Sequence, residues 1–168
     1  MYRYRITQCL SVGQFATPER VADLLTAGIT HILNVSDTVS QVVSGEGSFR
    51  EVVWLPMDDF QHIPEPLAIE VLDTLHRMAA EPGAHVYVHC LAGHLRSPTV
   101  LWLYLIACGW NPRAARYIIV SRSPYAAPGV RKLVGQNLVL RVQMHGLANY
   151  FPLPRGEVIV PYPCDPTE

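Results

Sequence analysis

A cysteine and an arginine, separated by five residues, carry the clearest chemical signal in the sequence. Cys90 and Arg96 lie in the segment VHCLAGHLRSPT, residues 88–99, and Ser97 directly follows the arginine. A thiolate is a strong nucleophile, and a guanidinium can bind two oxygens of one phosphate at once, a geometry that lysine cannot reproduce. The hydroxyl of Ser97 could donate to the sulfur when the sulfur acts as a leaving group. These three residues predict chemistry on a phosphate group.

The elements on either side of this segment predict a loop that can cradle an anion. Residues 85–89 are short, apolar and β-branched, which indicates a buried central strand, and a buried helix is predicted from Ser97. Backbone N–H groups at such a helix N-terminus bind anions and favour the ionised thiol. Gly93 supplies the backbone freedom that a tight curl needs. The predicted phosphate-binding positions are Leu91, Ala92, Gly93, His94, Leu95 and Arg96.

Strand and helix patterns alternate along the rest of the chain. Strands are predicted at 29–35, 51–55 and 85–89, with an edge strand or hairpin at 2–12. Helices are predicted at 17–28, 66–80, 97–108, 112–120 and 128–145. The polar stretch 36–49 predicts a loop or a poorly ordered insert. The fold class is therefore α/β, with a central, mainly parallel (mixed) sheet of four to five strands flanked by helices. We expect one domain over residues 1–150 and a proline-rich tail over 151–168.

Composition and charge exclude several classes of partner. The 168 residues have a formal net charge of -1, so the chain lacks the basic excess that neutralises nucleic-acid phosphates. The longest apolar run, residues 99–110, is far shorter than the ~20 residues of a membrane-spanning helix. The four cysteines are far apart in the chain, which argues against a disulfide framework or a zinc site and predicts a reducing, cytoplasmic location. The sequence thus predicts no nucleic-acid partner, no membrane partner, no metal and no cofactor.

The segment around Cys90 resembles the signature of a known family. HCLAGHLRS, residues 89–97, is similar to the HCxxGxxR(S/T) signature of the cysteine-based protein phosphatases, and the order of elements resembles their compact dual-specificity branch. Three further segments resemble parts of that branch: GITHILNVS at 28–36, the general-acid loop LPMDD at 55–59, and RSP at 122–124. The similarity covers roughly residues 5–145. It implies that the domain is a phosphatase catalytic domain.

The resemblance also implies roles for residues outside the loop. The family places a general acid upstream of the cysteine, and its pattern aligns on Asp59, with Asp58 as the alternative if the loop length differs by one residue. Such an acid protonates the leaving oxygen and typically contributes ~10²–10⁴-fold to the rate. The implied reaction passes through a cysteinyl-phosphate on Cys90 and needs no metal. His89 is expected to support the loop by hydrogen bonding within it.

The variable positions of the loop bear on the substrate. His94 is the only additional group in the loop that could carry a positive charge, whereas relatives that act on phosphoinositides or on RNA 5′-triphosphates usually have several cations there. The sequence therefore favours a phosphorylated protein as partner, with phosphotyrosine and also phosphoserine or phosphothreonine as substrates. The alternatives are a phosphoinositide or RNA 5′-phosphatase of the same superfamily, or a catalytically silent phosphate-binding module.

Overall fold

Five strands form one mixed sheet in the computed structural model, which describes residues 3–151. The strands are β1 (Arg3–Arg5), β2 (Leu10–Gly13), β3 (His31–Asn34), β4 (Glu51–Trp54) and β5 (Val86–His89). The helices are α1 (Val21–Thr26, preceded by a 3₁₀ turn at Pro18–Arg20), α2 (Glu65–Ala79), α3 (Arg96–Ala107), α4 (Pro112–Arg122) and α5 (Leu138–Asn149). The predicted α/β class is confirmed, with five strands.

The order of the strands brings several chain segments to one edge of the sheet. The order is β1-β2-β5-β3-β4, with β1 antiparallel to β2 and all other neighbours parallel. Asn34 of β3 is level with both His89 of β5 and Trp54 of β4. The parallel strands therefore end together, and ligands of open α/β sheets bind at that edge. The hairpin predicted within residues 2–12 is the pair β1 and β2.

Alternate residues along the strands face two separate cores, as the period of two in a strand requires. Leu33, Val86 and Val88 face the larger core, which they form with α2, α3 and α5. Ile32 and Tyr87 face the smaller core, on the side of α1. Every residue of α3 is buried, as the apolar residues on all sides of this helix predict. The sheet is thus covered on both faces, which holds β5 rigidly at its centre.

The loop predicted over residues 36–49 closes the smaller core. Val42 and Phe49 are 6% and 0% exposed. The side chain of Asn34 anchors the start of the loop, because its Nδ2 donates to the carbonyl oxygen of Thr38 at 2.8 Å and its Oδ1 accepts from the N–H of Ser36 at 2.9 Å. The segment is therefore a packed loop and not a poorly ordered insert.

The helix predicted over residues 128–145 is wrong in its first half, because α5 begins only at Leu138. The N–H of Gly129, whose φ is 72°, donates to Oγ1 of Thr99 at 3.0 Å. The carbonyl oxygen of Leu133 accepts from the N–H of Ile63 at 2.8 Å. These contacts engage backbone groups that would otherwise form the hydrogen bonds between residues i and i−4 of a helix. The apolar spacing that predicted a helix is produced by turn residues that pack onto the core, with Leu133 fully buried.

The remaining predictions on organisation concern the C-terminus and membranes. The proline-rich tail lies outside the described residues except for Phe151, so the division between a domain at 1–150 and a tail at 151–168 stays a prediction. Within residues 3–151, no helix has the length and apolar character needed to cross a membrane.

Candidate active site

Cys90 follows β5 directly and lies at the carboxyl edge of the sheet, with 3% of its surface exposed. Its Sγ lies 3.3 Å from Oγ of Ser97, in the first turn of α3. No acidic residue occupies that first turn, so nothing in it offsets the positive end of the helix dipole. The helix end and the serine hydroxyl therefore both stabilise negative charge on the sulfur.

A close backbone contact shapes the loop between Cys90 and α3. Gly93 has a φ of +79°, a left-handed conformation that favours glycine. A Cβ at this position would lie 2.6 Å from the carbonyl carbon and oxygen of Gly13, at the end of β2. Two residues further along, the N–H of Phe15 donates to the carbonyl oxygen of Leu91 at 3.0 Å. The loop is thus held against the end of the neighbouring strand.

Arg96 is the first residue of α3, and its side chain is only 5% exposed. Its Nη1 donates to Oδ1 of Asp37 at 3.3 Å and to the carbonyl oxygen of Met57 at 3.1 Å. Its Nε is buried without a hydrogen-bond partner among the described residues and lies 3.6 Å from Oδ1 of Asp59. One side of the guanidinium is therefore anchored, while an N–H remains available for an anion.

The two candidates for the general acid have different surroundings. Asp59 has a side chain that is 30% exposed, and its Oδ1 is buried without a hydrogen-bond partner in the described part of the chain. Asp58 is exposed, and its carboxylate accepts from the N–H of Phe60 and from the side-chain amide of Gln61, each at 2.7 Å. The geometry favours Asp59, because its carboxylate is not occupied by the turn.

The side chains of Cys90, Arg96 and Asp59 line one cavity of about 310 Å³. It is lined by Asp59, Cys90, Leu91, Ala92, His94, Leu95 and Arg96. The ring of His94 lies 5.9 Å from that of Tyr125, and its carbonyl oxygen accepts from the N–H of Ala127 at 2.7 Å. The cavity thus contains every predicted loop position except Gly93, which packs against β2.

His89 supports the loop from inside the protein. It is 1% exposed, and its Nδ1 lies 3.1 Å from the carbonyl oxygen of Cys90, to which it donates as a neutral ring. Burial lowers the pKa of His89 to about 4. Phe15 packs edge-on against the ring with 4.9 Å between centroids. This geometry agrees with the predicted supporting role, and His89 does not line the cavity.

A family model described as "PTP-SAK: Swiss Army Knife protein, DSP-PTPase phosphatase domain" matches residues 7–135, more than half of the chain. The chain belongs to this family. Its membership confirms the resemblance to the dual-specificity branch of the cysteine-based phosphatases. The matched residues begin before β2 and include Cys90, Arg96 and both candidate acids.

Two curated relatives match about half of the phosphatase chain. It is 32% identical over 96 residues to laforin of Mus musculus, covering 52% of this chain and 26% of the relative. It is 34% identical over 83 residues to protein tyrosine phosphatase type IVA 2 of Mus musculus, covering 49% of this chain and 50% of the relative. The chain therefore spans a quarter to a half of the length of these relatives.

Solved structures share the fold of this phosphatase. PTPMT1 in complex with PI(5)P has a TM-score of 0.69 and 19% identity, over 88% of this chain and 98% of that chain. DUSP15 has a TM-score of 0.68 and 21% identity, over 91% of this chain and 92% of that chain. At this level of identity the similarity concerns the fold alone, and it confirms the mixed five-stranded α/β architecture.

Sequence reasoning missed two of the groups that hold Arg96. Asp37 lies in the loop after β3, and Met57 contributes only a backbone carbonyl. The position of Asp37 could have been found, because it follows a predicted parallel strand whose end lies beside that of β5. The carbonyl of Met57 leaves no signal in a sequence.

Among residues 3–151, one group of side chains has the composition of a metal site, and it is remote from Cys90. His31, Glu51 and Glu81 lie within 4.8 Å of one another, and the first two begin β3 and β4, at the opposite edge of the sheet. They already pair with each other and with Arg77: His31 Nε2 lies 2.9 Å from Glu81, and both oxygens of Glu51 accept from Arg77 at 2.8 Å. Hydrogen bonds and an ion pair with neighbouring side chains thus already engage all three residues.

Proposed function

We propose that this phosphatase hydrolyses phosphate monoesters of phosphorylated proteins through a cysteinyl-phosphate on Cys90. The observation that carries the proposal is the convergence of Cys90, Arg96 and Asp59 in the lining of one cavity of about 310 Å³, with Ser97 in contact with the sulfur. A nucleophile, an anion-binding cation and a carboxyl group within one cavity are the groups that transfer of a phosphoryl group to a thiol requires.

The first step forms the sulfur–phosphorus bond. The thiolate of Cys90 attacks phosphorus, and the bond between phosphorus and the ester oxygen breaks. Arg96 and the N-terminus of α3 stabilise the charge on the other three phosphate oxygens. Asp59, in its protonated form, donates its proton to the departing oxygen. An alcohol or phenol leaves, and Asp59 becomes a carboxylate.

The second step returns the enzyme to its starting state. The carboxylate of Asp59 takes a proton from water as the water oxygen attacks phosphorus. The sulfur–phosphorus bond breaks, and the electron pair returns to Cys90. The hydroxyl of Ser97, 3.3 Å from the sulfur, donates to the thiolate as it leaves. Inorganic phosphate is released, and Asp59 is protonated again.

The lining of the cavity supports a substrate with a single phosphate. Among the described residues that line it, only Arg96 and His94 can carry a positive charge. We therefore propose phosphotyrosine together with phosphoserine and phosphothreonine in proteins as substrates. A phosphoinositide is the second candidate, because PTPMT1, which has a similar fold, was solved with PI(5)P.

The three cysteines within the described residues are free, which supports a reducing, cytoplasmic location for the enzyme.

A panel of substrates tests the proposal. We would measure turnover of phosphotyrosine and phosphothreonine peptides, an inositol phospholipid and 5′-triphosphorylated RNA by wild type and Cys90→Ser. We expect turnover of both peptides, the largest kcat/KM on peptides, and no turnover by Cys90→Ser. Absence of phosphate release from every substrate would favour a silent phosphate-binding module, and a preference for the lipid or the RNA would overturn the proposed substrate class.

The same assay distinguishes the two candidate acids. On an ester with a poor leaving group, we expect Asp59→Asn to lower kcat by ~10²–10⁴-fold, because the departing oxygen then lacks its proton donor. Asp58→Asn is the matched control and should change kcat by about twofold or less, since asparagine retains the oxygen that accepts from Phe60. On a nitrophenyl ester, whose leaving group needs little protonation, the loss in Asp59→Asn should shrink. A larger loss in Asp58→Asn would assign the acid to Asp58.

A further inference from the structure

A turn that the sequence pattern assigns to a helix lies directly beside the loop that carries Asp59. The N–H of Ile63 donates to the carbonyl oxygen of Leu133 at 2.8 Å, and Nε2 of His62 lies 3.1 Å from the carbonyl oxygen of Arg131. Leu133 is fully buried, so it anchors the turn in the core. These contacts fix Lys132, which lies between the two hydrogen-bonded carbonyls, next to the acid loop.

The side chain of Lys132 lies over an exposed aromatic ring. Its Nζ is 5.5 Å from the ring centroid of Phe60, a cation–π arrangement that holds the ammonium in place. Phe60 is 83% exposed and directly follows Asp59, which lines the cavity. Lys132 is itself exposed. Phe60 and Lys132 thus place an apolar ring and a positive charge beside the loop that carries Asp59, and we call this pair the rim.

Two exposed basic residues of this turn can attract an anionic group of a ligand. The neighbouring Arg131 is also exposed and basic. Two acids also lie on the neighbouring loop: Asp58 accepts from the N–H of Phe60 and the side-chain amide of Gln61, and Asp59 lies 3.6 Å from Nε of Arg96. Lys132 forms no ion pair with another described residue, so a carboxylate of a ligand can reach it without displacing one.

We propose that Phe60 and Lys132 form a subsite that binds an acidic residue of the phosphoprotein substrate, close in sequence to its phosphorylated residue. The inference rests on the proposed function and names the preferred substrate. An extended peptide advances by about 3.3–3.6 Å per residue, so residues one to three positions from the phosphorylated one lie within roughly 3–11 Å of it along the peptide. The anion can be a carboxylate or a second phosphate of the same peptide.

The arrangement fits a peptide better than an inositol phosphate. Adjacent phosphates on one ring would need a second cation within the cavity, where His94 is the only additional candidate among the described lining residues. Lys132 does not line the cavity, and its Nζ lies over the exposed ring of Phe60. An exposed apolar ring beside a cation suits an acidic residue and a neighbouring apolar side chain of a peptide.

Peptides of matched sequence test the subsite. Three phosphopeptides would carry glutamate, glutamine or lysine two positions from the phosphorylated residue, and a fourth would carry a second phosphoserine there. We expect wild type to prefer the glutamate peptide to the glutamine peptide by about threefold to fivefold in kcat/KM, mainly through KM, the size typical of one exposed ion pair. Lys132→Gln should remove this preference, and Lys132→Glu should reverse it in favour of the lysine peptide.

The control variant is Arg113→Gln, which removes one positive charge from the exposed start of α4. It should retain the wild-type preference, because long-range charge effects are screened. If Lys132→Gln kept the wild-type preference for the glutamate peptide over the glutamine peptide, the subsite would be refuted and the phosphatase function would stand. Loss of inositol-phosphate turnover in Lys132→Gln without any change on peptides would also refute it. Failure of wild type to cleave any phosphopeptide would refute the proposed function itself.

Discussion

The contact between Gly93 and Gly13 allows a sharp test of how the loop is shaped. Gly93→Ala adds one methyl group at a φ of +79°, where its Cβ would lie 2.6 Å from the backbone of Gly13. Gly28→Ala adds the same group at a similar φ of +84°, with nothing within 4 Å. The two changes share the conformational strain, and only the first adds the collision with β2.

The expected magnitudes follow from these two effects. A left-handed conformation costs an alanine ~1–2 kcal/mol, which applies to both variants. Forcing a methyl group into a filled site typically costs a further ~1–3 kcal/mol, which applies to Gly93→Ala alone. The collision is with backbone, so the loop itself must move. A displacement of about 1 Å in a catalytic group can cost ~10²-fold in rate.

Urea unfolding and hydrolysis of a nitrophenyl phosphate measure the two consequences. We expect Gly93→Ala to lose ~2–5 kcal/mol of unfolding free energy and about 10²-fold or more in kcat/KM. Gly28→Ala, at the end of α1 and remote from the cavity, should lose ~1–2 kcal/mol and retain its kcat/KM within about twofold. If Gly93→Ala matches Gly28→Ala in both measurements, the approach to Gly13 does not shape the loop and the reasoning is wrong.

Two further predictions concern Arg96 and the buried histidines. Asp37→Ala should lower kcat/KM about twofold to fivefold, because Nη1 of Arg96 loses one of its two acceptors; initial rates on an aryl phosphate measure this. Burial lowers the pKa of both His85 and His89 to about 4, whereas the unfolded chain binds these protons near 6.5. Stability should therefore fall as pH falls from about 6.5 to 4, by about 2 kcal/mol per histidine at pH 5. Urea midpoints at pH 7 and pH 5 measure the loss, and His85→Gln should reduce it by about half.

Three results would contradict the predictions on Asp37 and on the two histidines. An unchanged kcat/KM in Asp37→Ala would mean that the carbonyl oxygen of Met57 alone positions the guanidinium. Equal unfolding free energies of wild type at pH 7 and pH 5 would contradict the lowered pKa values. An unaltered pH dependence in His85→Gln would assign the loss to other groups.

The sequence predicts the loop from Cys90 to Ser97 well because its geometry is local. A short apolar strand, a glycine and a buried helix follow one another without interruption, so spacing alone brings Arg96 back towards the sulfur. The strands and most helices are predicted for the same reason, within a few residues at each end. Local patterns fix local structure, and the family signature adds the chemistry.

The errors and omissions arise where distant segments compete for the backbone. The turn around Leu133 has the apolar spacing of a helix, yet its carbonyl accepts from Ile63, 70 positions upstream. Asp37 reaches Arg96 across the edge of the sheet, over a separation of 59 positions. Neither contact is encoded by a periodicity, because each depends on the order of the strands. The same reasoning explains why Lys132 could not be placed beside the loop that carries Asp59.

The strand register explains why residues so far apart in sequence share one cavity. Asn34 is level with both His89 and Trp54 across three neighbouring parallel strands. Asp37 and Asp59 therefore follow the ends of β3 and β4 by only a few residues, just as Cys90 follows the end of β5. Since β3 lies between the other two strands, its loop brings Asp37 to Nη1 of Arg96, and the β4 loop brings Asp59 within 3.6 Å of Nε of the same guanidinium. The parallel register of the sheet, rather than proximity in sequence, therefore brings the candidate acid and the nucleophile to one cavity.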